Sequence, residues 1–447
     1  MTHAHDDPHV HAPAIGTKRL LTLLIAITIV AAGLRLGMTC AFVGLSAPPD
    51  VGASPDQGEY DAVLQQLIAG NGYAKHDGQP TARRAPGTVF TVLPVYAATG
   101  GSYAATRLLI IALSSVTCLL VGLTVARLFN PRAGLIAAGV LAVIPGHTYY
   151  AMHLLSEAPF GFWLALAVYL TVLAMQRPKR WTLAYAIAGL CWGMAVLTKP
   201  QFVLLAPLVV VASCAYALRQ RAWRPALAGA VCVSAAASLV MPWYARNAIV
   251  LDAPGLSTIG GYSLWAGNNE LTLSDPDWRG KAIPTSRVEA ALGVKLPEGE
   301  AASDAQAKAY ATAFMRQHRA DMPRLTVWKL YRLVTPFQST ENRAVYWAQA
   351  LSWIVVAPLL AAGIVIGLRR RPVQSLLWIG PMLVTLGVTL VFFAIVRYRD
   401  ALMPAMVPFV ALAIDSIWRT LTGVRRDEHS GPIASVNAEA PRDRLAA

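Results

Sequence analysis

The sequence has 447 residues, of which 55% are hydrophobic and only 14% are charged. Soluble globular domains carry about 25% charged residues, so this composition excludes an ordinary soluble enzyme and predicts an integral membrane protein. A net charge of +14 would suggest a nucleic-acid partner for a soluble protein, but here many of the cations lie beside apolar segments. The charge therefore indicates orientation in a membrane and predicts no binding of nucleic acid.

The N-terminal stretch 1–19 is predicted to be a cytoplasmic tail. It holds His3, His5, His9 and His11, which could bind a metal, but the composition favours a solvated, flexible segment. No signal peptide is predicted, because the first apolar run is too long and lacks a small-residue cleavage pattern. The five cysteines show no metal or redox spacing and are interpreted as small core residues.

Apolar segments long enough to cross a bilayer run through most of the chain. A hydrocarbon core of about 30 Å needs about 20 apolar residues in a helix, and about ten segments meet that length. They predict a transmembrane core at 20–243, C-terminal spans at 344–421 and a disordered cytoplasmic tail at 422–447. The predicted spans are Leu20–Leu45, Ala104–Phe129, Ala133–Tyr150, Ala158–Met175, Leu183–Leu197, Phe202–Leu218, Ala226–Trp243, Ala344–Leu368, Gln374–Ile395 and Ala401–Leu421.

Lys and Arg collect at alternate ends of these spans, which sets the orientation of the chain. The pattern predicts a multi-pass protein of the inner (plasma) membrane with both termini cytoplasmic. Two long regions then lie outside, a first outer loop at 47–103 and a large outer loop at 244–343 between spans seven and eight. The predicted inner cations are Lys18, Arg19, Arg127, Arg132, Arg177, Lys179, Arg180, Arg219, Arg221, Arg224, Arg369, Arg370, Arg371, Arg419, Arg425 and Arg426.

The first outer loop is predicted to hold two interfacial helices. Apolar residues from Tyr60 to Ile68 recur at helical spacing, and Gly70 and Gly72 follow the last of them. This amphipathic segment is too short to span the membrane, so it is expected to lie on the outer interface. A second short helix is predicted at Pro86–Ala98, with proline in its first turn.

Two carboxylates on the outer face have alternative interpretations. Asp56, with Glu59 three residues later, fits a pair that caps a helix start, but a carboxylate among outward-facing cations is also a candidate general base. Glu157 begins the fourth predicted span, where it would favour the helix dipole or act as a second acid of the site. His147 and His153 flank Glu157 at a spacing that matches no specific metal motif, so no metal site is predicted.

Several cations on the outer face break the rule that places basic residues inside. These are Arg83 and Arg84 in the first outer loop, Lys199 between two spans, and Arg397 and Arg399 before the last span. Charges at the membrane edge are costly and tend to mark function. The alternative is that their side chains extend to phosphate groups of the outer leaflet.

The large outer loop opens with residues suited to binding a sugar. Arg246 and Asn247 follow the seventh predicted span, and a stretch rich in Gly, Asn and aromatic residues holds Trp265 and Asn268. Aromatic faces stack on sugars and amides bond to hydroxyl groups. Aromatic residues such as Trp243 could equally form part of the belt at the membrane interface.

The order of these features resembles the large-membrane-fold glycosyltransferases called GT-C. The likeness is closest to family 39 and its relatives, the protein O-mannosyltransferases and lipid A aminoarabinose transferases. Two local departures from the family pattern are Gln57 directly after Asp56 and Ala85-Pro86 after Arg84, and they concern the acceptor class. The segments that carry the resemblance are Asp56–Tyr60, Leu64–Tyr73, Arg84–Gly87, Arg107–Leu109, Ser156-Glu157, Leu197–Pro200, Pro242-Trp243, Arg246-Asn247, Leu264–Asn269, and Arg397–Arg399 with Pro404.

This resemblance implies an all-α polytopic membrane protein that moves a sugar from a polyprenyl-phosphate-linked donor to an acceptor hydroxyl outside the membrane. The acceptor would be a glycan, a lipid or a protein, and the transferred group a hexose or a pentose. The family's catalytic carboxylate matches Asp56, and Glu157 is taken with it as catalytic. No cofactor is assigned, and a divalent metal is left open. The predicted substrate-binding residues are Glu59, Tyr60, Arg83, Arg84, Lys199, Arg246, Asn247, Trp265, Asn268, Arg397 and Arg399.

A transporter or flippase for the lipid-linked sugar is the alternative function. Many transporters are built from two related halves with broken spans in matching positions. The sequence shows no such paired halves, and its outer charges lie at one face instead of at the midplane. The enzyme is therefore favoured.

Overall fold

The computed structural model describes residues 15–52, 54–176, 181–336 and 343–423. These residues form helices joined by short connections, with a single isolated β-bridge between Ala74 and Pro80. Within the described ranges, nine helices are long and apolar enough to cross a membrane. The prediction of an all-α polytopic membrane protein is confirmed. The four N-terminal histidines and nearly all of the predicted C-terminal tail lie outside the described residues.

The helices are α1 (Thr17–Phe42), α2 (Pro55–Ile68), α3 (Gly87–Ala98), α4 (Tyr103–Leu128), α5 (Pro131–Val143), α6 (Pro145–Tyr150), α7 (Glu157–Gln176), α8 (Trp181–Thr198), α9 (Leu205–Gln220), α10 (Arg224–Leu251), α11 (Gly260–Gly267), α12 (Glu270–Ser274), α13 (Thr285–Leu292), α14 (Glu300–Gln317), α15 (Met322–Val334), α16 (Arg343–Arg370), α17 (Pro372–Val391), α18 (Val396–Asp400) and α19 (Met403–Thr422). A 3-10 turn, Pro200–Leu204, precedes α9.

The third predicted span is broken into α5 and α6 at Pro145. Proline has no N–H for the helical ladder and its ring crowds the preceding turn, so the helix stops before it. With 13 residues, α5 is shorter than the roughly 20 residues that a full span needs. The prediction of a continuous helix over Ala133–Tyr150 is therefore wrong. At the seventh span, α10 runs past its predicted end at Trp243 to Leu251.

The break is capped by Arg35, a residue of α1 to which the sequence analysis gave no role. Its guanidinium donates to the carbonyl oxygens of Leu141 at 3.3 Å and Ala142 at 3.1 Å, and to Ser114 Oγ at 2.9 Å. The last carbonyl groups of a helix have no partner within it, and an unpaired carbonyl in an apolar interior is costly. Arg35 is fully buried. Its bonds give the carbonyl groups at the end of α5 a donor and give the guanidinium acceptors inside the bundle.

The centre of the bundle is α19. Its residues from Met403 to Ala413 are all buried, and it packs between α5 and α16. Gly363 of α16 permits this close approach, because a Cβ atom there would lie 1.8 Å from the carbonyl oxygen of Phe409. The main apolar core thus lies between the last helix and the helices of the first half of the chain.

Helices α2 and α3 occupy the two stretches predicted as helices in the first outer loop. The region predicted as the large outer loop contains the end of α10 and helices α11 to α15. It has a small core of its own, formed by Trp265, Ile283, Val288, Ala307 and Ala311. Trp265, predicted to bind substrate, is a buried member of this core.

Candidate active site

Five separate parts of the chain meet in one cluster of charged side chains, which we call the ion-pair cluster. Helix α2, the loop before α3, the start of α7, the turn after α8, and α18 each contribute to it. The cluster consists of Arg83, Glu59, Arg84, Asp56, Arg397, Glu157 and Lys199, in the order in which neighbouring members pair.

Arg397 joins the two predicted catalytic carboxylates. Its Nε donates to Glu157 Oε1 at 2.6 Å, and its Nη1 donates to Asp56 Oδ2. The planar guanidinium presents its N–H groups in a fixed fork, so one side chain can bind two carboxylates at defined positions. Glu157 also accepts a bond of 2.8 Å from Lys199 Nζ, which donates in addition to Ser156 Oγ at 3.1 Å.

Arg84 lies on the other side of Asp56. Its Nη2 donates to Asp56 Oδ1, and its Nε donates to Glu59 Oε2 at 2.5 Å. Glu59 also accepts a 2.8 Å bond from Arg83 Nε. Both oxygens of Asp56 are thus held by guanidinium groups from distant parts of the chain.

These contacts exclude the interpretation of Asp56 as a helix cap. The residue at the cap position of α2 is Ser54, and Asp56 is the second residue of the helix, with its carboxylate directed at Arg84 and Arg397. Its side chain is 19% exposed, so a substrate can reach it. A cluster of partly buried charges at the ends of several helices is typical of a functional site.

The electrostatics keep the Asp56 carboxylate ionised. Burial raises the pKa of Asp56, but the guanidinium groups of Arg84 and Arg397 lower it by more, so the pKa lies below its usual value. The pKa of Arg397 is raised well above its usual value: burial opposes this, but Glu157 and Asp56 outweigh it. Burial lowers the pKa of Lys199, and Glu157 partly compensates. Tyr60 is buried beside these charges, and burial raises the pKa of its hydroxyl.

A close helix contact positions two of the cations. A Cβ atom on Gly87, at the start of α3, would lie 2.4 Å from the backbone nitrogen of Thr198, at the end of α8. Only glycine allows this approach without displacement of the backbone. The contact brings the chain just after Arg84 against the chain just before Lys199, and so packs together the two segments that carry the ends of the ion-pair cluster, Arg83 and Lys199.

Arg246 and Glu300, which are not members of the ion-pair cluster, hold the loop that carries Arg83 and Arg84. Arg246 donates to the carbonyl oxygens of Thr81 at 2.7 Å and Tyr73 at 3.0 Å. The Glu300 carboxylate accepts from Thr81 Oγ1 at 2.7 Å, from the backbone nitrogen of residue 82 at 2.8 Å, and from the hydroxyl of residue 258. Arg246 therefore positions the loop and lies outside the cluster, and sequence reasoning missed Glu300 because nothing nearby in the chain indicates its partners.

Three further residues that the sequence grouped as substrate-binding make their bonds within the fold. Asn247 donates to the carbonyl oxygen of Gly255 at 2.8 Å. Asn268 donates to two backbone carbonyls and accepts from Lys329 Nζ at 2.8 Å. Arg399 points away from the cluster: it donates to the carbonyl oxygen of residue 335 at 3.1 Å, and its Cζ lies 4.2 Å from the centre of a tryptophan ring.

A cavity of about 280 Å³ lies beside Arg397. Two cations of the region predicted as the large outer loop, Lys281 and Arg332, reach its wall, and the sequence analysis singled out neither of them. Lys281 and Arg332 lie in separate elements, and the sequence of this region has no repeated pattern that would link them. No local signal could therefore have identified them. The lining consists of Lys281, Ala282, Arg332, Ala394, Ile395, Val396 and Arg397.

Comparison with known proteins agrees with this architecture. Residues 61–251 match the family model of dolichyl-phosphate-mannose-protein mannosyltransferase, a range that includes Glu157 and Lys199 and ends before Arg397. The structure is similar to the oligosaccharyltransferase AglB of Archaeoglobus fulgidus in complex with an inhibitory peptide and a dolichol-phosphate, at 15% identity and a TM-score of 0.51, over 96% of this chain and 52% of that one. This chain has the GT-C fold.

A second structure of the Archaeoglobus fulgidus oligosaccharyltransferase, in complex with Zn and sulfate, matches at 16% identity and a TM-score of 0.50, over 90% of this chain and 50% of that one. The chain therefore spans about half the length of these two structures. ArnT from Cupriavidus metallidurans, bound to undecaprenyl phosphate, matches at 16% identity and a TM-score of 0.41, over 91% of this chain and 79% of that one. No curated protein sequence matches the chain.

Proposed function

We propose that the protein is a membrane glycosyltransferase that moves a sugar from a polyprenyl-phosphate-linked donor to an acceptor hydroxyl on the extracytoplasmic face. The observation that carries the proposal is the placement of Asp56 between the guanidinium groups of Arg84 and Arg397. Such a transfer needs a base for the acceptor proton and cations for the departing phosphate, and the site holds both within one network.

The bonds change in a defined order in this proposal. The bond between the anomeric carbon and the donor phosphate oxygen breaks, and its electron pair stays on the phosphate. The acceptor oxygen bonds to the anomeric carbon, and its proton passes to the Asp56 carboxylate. The product lipid phosphate leaves with more negative charge than the donor had, so nearby cations stabilise the transition state more than the bound donor.

In this proposal, binding of the donor makes Asp56 a stronger base, because the donor weakens the ion pairs of Asp56. A carboxylate with a lowered pKa is a weak base while both guanidinium groups bind it. Phosphate oxygens compete for the same N–H donors of Arg84 and Arg397. As these arginines turn toward the phosphate, the pKa of Asp56 rises and the carboxylate becomes able to accept the proton. Glu157 is held by Lys199 as well as by Arg397, so it stays in place and keeps its bond to the Nε of Arg397 while the other N–H groups of that guanidinium turn toward the phosphate.

The magnitude of the phosphate interaction suits catalysis. A unit charge pair at about 4 Å contributes about 4 kcal/mol at an effective dielectric constant of 20. If that interaction develops mainly in the transition state, it accelerates the reaction about a thousandfold. One of the arginines is therefore sufficient for a large effect, and each guanidinium can contact the phosphate through two N–H groups.

The residues found here do not fit a divalent metal. Asp56 and Glu157 are already bridged by Arg397, so a metal bound by both would have to displace a guanidinium that is held by two ion pairs. Among the described residues, no group of three or more His, Cys, Asp and Glu side chains lies close enough to hold an ion. We therefore derive no step through a metal. Transfer measured in excess EDTA, and again after Mg²⁺ or Mn²⁺ is restored, tests this directly.

The orientation predicted from the cations belongs to the proposal. With both termini in the cytoplasm of an inner-membrane protein, α2, α3 and α18 lie at the outer ends of the helices. Site-specific labelling of a cysteine introduced at the exposed residue Gln79, in intact cells with a membrane-impermeant reagent, tests the orientation. Labelling only after the membrane is opened would refute it.

The decisive experiment is transfer of a labelled sugar from a synthetic polyprenyl phosphate sugar by the purified protein. Asp56→Asn keeps the shape of the side chain but removes the base, so it should fold and lose turnover. Asp61→Asn in the same helix is the matched control, because Asp61 bonds to Tyr103 and Gln65 and lies outside the cluster. Full activity of Asp56→Asn would refute the role of Asp56 as the general base. Movement of donor lipid between leaflets without a glycosidic product would favour the flippase.

A further inference from the structure

The cavity beside Arg397 has walls that several contacts hold in place. The backbone nitrogen of Ala394 donates to the carbonyl oxygen of Gly280 at 3.0 Å, which ties the segment after α17 to the loop before Lys281. Gly280 has a φ of +77°, and a Cβ atom there would lie 2.7 Å from the backbone of Trp328 in α15. The loop therefore packs directly against α15, the helix that supplies Arg332.

Three of the lining residues carry positive charge: Lys281, Arg332 and Arg397. Arg332 is oriented by a bond of 3.1 Å from its Nε to the carbonyl oxygen of Arg279. Burial and the charge of Arg332 lower the pKa of Lys281, while Asp277 and Asp275 raise it. Asp275 and Asp277 offset part of the charge of Lys281, and Asp56 and Glu157 offset part of the charge of Arg397. None of these four carboxylates is among the lining residues, so the wall presents cations to an entering anion.

We propose that this cavity receives the phosphate group of the lipid-linked donor, with Lys281 and Arg332 as phosphate-binding residues beside Arg397. The assignment rests on the proposed function and names residues that act in it. Arg397 belongs both to the cavity wall and to the ion-pair cluster, so a phosphate in the cavity lies one side chain away from Asp56. The volume of about 280 Å³ is just below the usual range for ligand pockets, which suits a phosphate group whose lipid chain stays in the membrane.

The charge of the phosphate changes during the reaction. The donor is a phosphodiester with one negative charge. When the sugar leaves, the product is a monoester that carries about −1.5 to −2 at pH 7, as other phosphate monoesters do. Three cations around one cavity should therefore bind the product lipid phosphate more tightly than the donor, and Lys281 and Arg332 should contribute to that difference.

Binding of labelled polyprenyl phosphate to the full chain in nanodiscs of neutral lipid tests this assignment. For Lys281→Gln and for Arg332→Gln, we expect Kd for polyprenyl phosphate to rise about tenfold, the equivalent of about 1.4 kcal/mol. The rise in Kd for the donor should be smaller, and binding of uncharged polyprenol should not change. Arg332→Lys should restore part of the affinity, because it keeps the charge.

Arg316→Gln is the matched control, since Arg316 is an exposed cation on α14 away from the cavity. It should leave every Kd unchanged. Equal loss of affinity in Arg316→Gln would show a general effect of surface charge and would overturn the assignment. Displacement of polyprenyl phosphate by inorganic phosphate at equal concentration would assign the cavity to a soluble phosphate compound and would also overturn it.

The outcome separates this assignment from the proposed function. If Asp56→Asn abolishes transfer but neither cavity variant weakens binding of polyprenyl phosphate, the enzyme stands and the phosphate lies elsewhere. If Asp56→Asn transfers normally while both cavity variants lose affinity, the cavity binds the lipid phosphate but Asp56 is not the base. Thermal unfolding of each variant shows whether a loss of affinity comes from a loss of folded protein.

Discussion

Replacement by lysine should affect a different property at each of the two arginines of α18: activity at Arg397 and stability at Arg399. Arg397 binds Glu157 through Nε and Asp56 through Nη1. A lysine in its place keeps the charge but offers a point-like ammonium on a shorter reach, which cannot hold both carboxylates in the same geometry. Arg397→Lys should therefore lower activity although the net charge of the site is unchanged.

The size of the loss follows from the bond that is broken. A hydrogen bond to a charged group contributes about 1.5–3 kcal/mol, and each 1.36 kcal/mol in the transition state is a tenfold change in rate. The Arg397 side chain is 21% exposed, so water recovers part of that energy and the lower half of the range applies. We expect kcat/KM for Arg397→Lys to fall about tenfold to fortyfold.

Arg399→Lys is the comparison. Arg399 is buried over an aromatic ring and bonds to a backbone carbonyl outside the cluster, so its replacement should lower the Tm while the folded fraction keeps its kcat/KM. Initial rates of labelled sugar transfer and thermal unfolding of the same preparations give both quantities. The assignment of roles would be refuted if Arg399→Lys left Tm unchanged and lowered kcat/KM more than Arg397→Lys does.

Three further changes test other parts of the structure. Glu300→Ala removes the acceptor that holds the loop of Arg84, so it should lower kcat/KM more than Tm. Arg35→Met leaves the carbonyl groups at the break after α5 without a donor and should lower the free energy of unfolding by about 2 kcal/mol or more. Burial raises the pKa of Asp400 to about 7, so the folded state holds a proton that the unfolded state loses above about pH 4, and stability falls as pH rises through that window. Asp400→Asn should remove this pH dependence of Tm, and an unchanged slope would contradict the shifted pKa.

The broad architecture is readable from the sequence because it depends on segment length and composition. A run of about 20 apolar residues must cross or fill the membrane whatever its neighbours are. The clusters of Lys and Arg at alternate span ends predict the side of each loop. The same reasoning failed at Ala133–Tyr150, where composition indicated a span but Pro145 breaks the helix. Arg35 was missed for a related reason, since its partners are backbone carbonyls that no side-chain pattern reveals.

The sequence by itself predicted a set of charges for the outer face, and the tertiary structure decided which of them meet. Residues two apart on a helix project from different sides of it, so at most one of Arg397 and Arg399 could face Asp56, and nothing local distinguishes them. Arg397 faces it because α18 is fixed against α6, where Gly146 lets Asp400 approach closely. Asp56, Glu157 and Arg397 come from three distant elements, and only the packing of the bundle sets the distances that turn separate charges into a candidate active site.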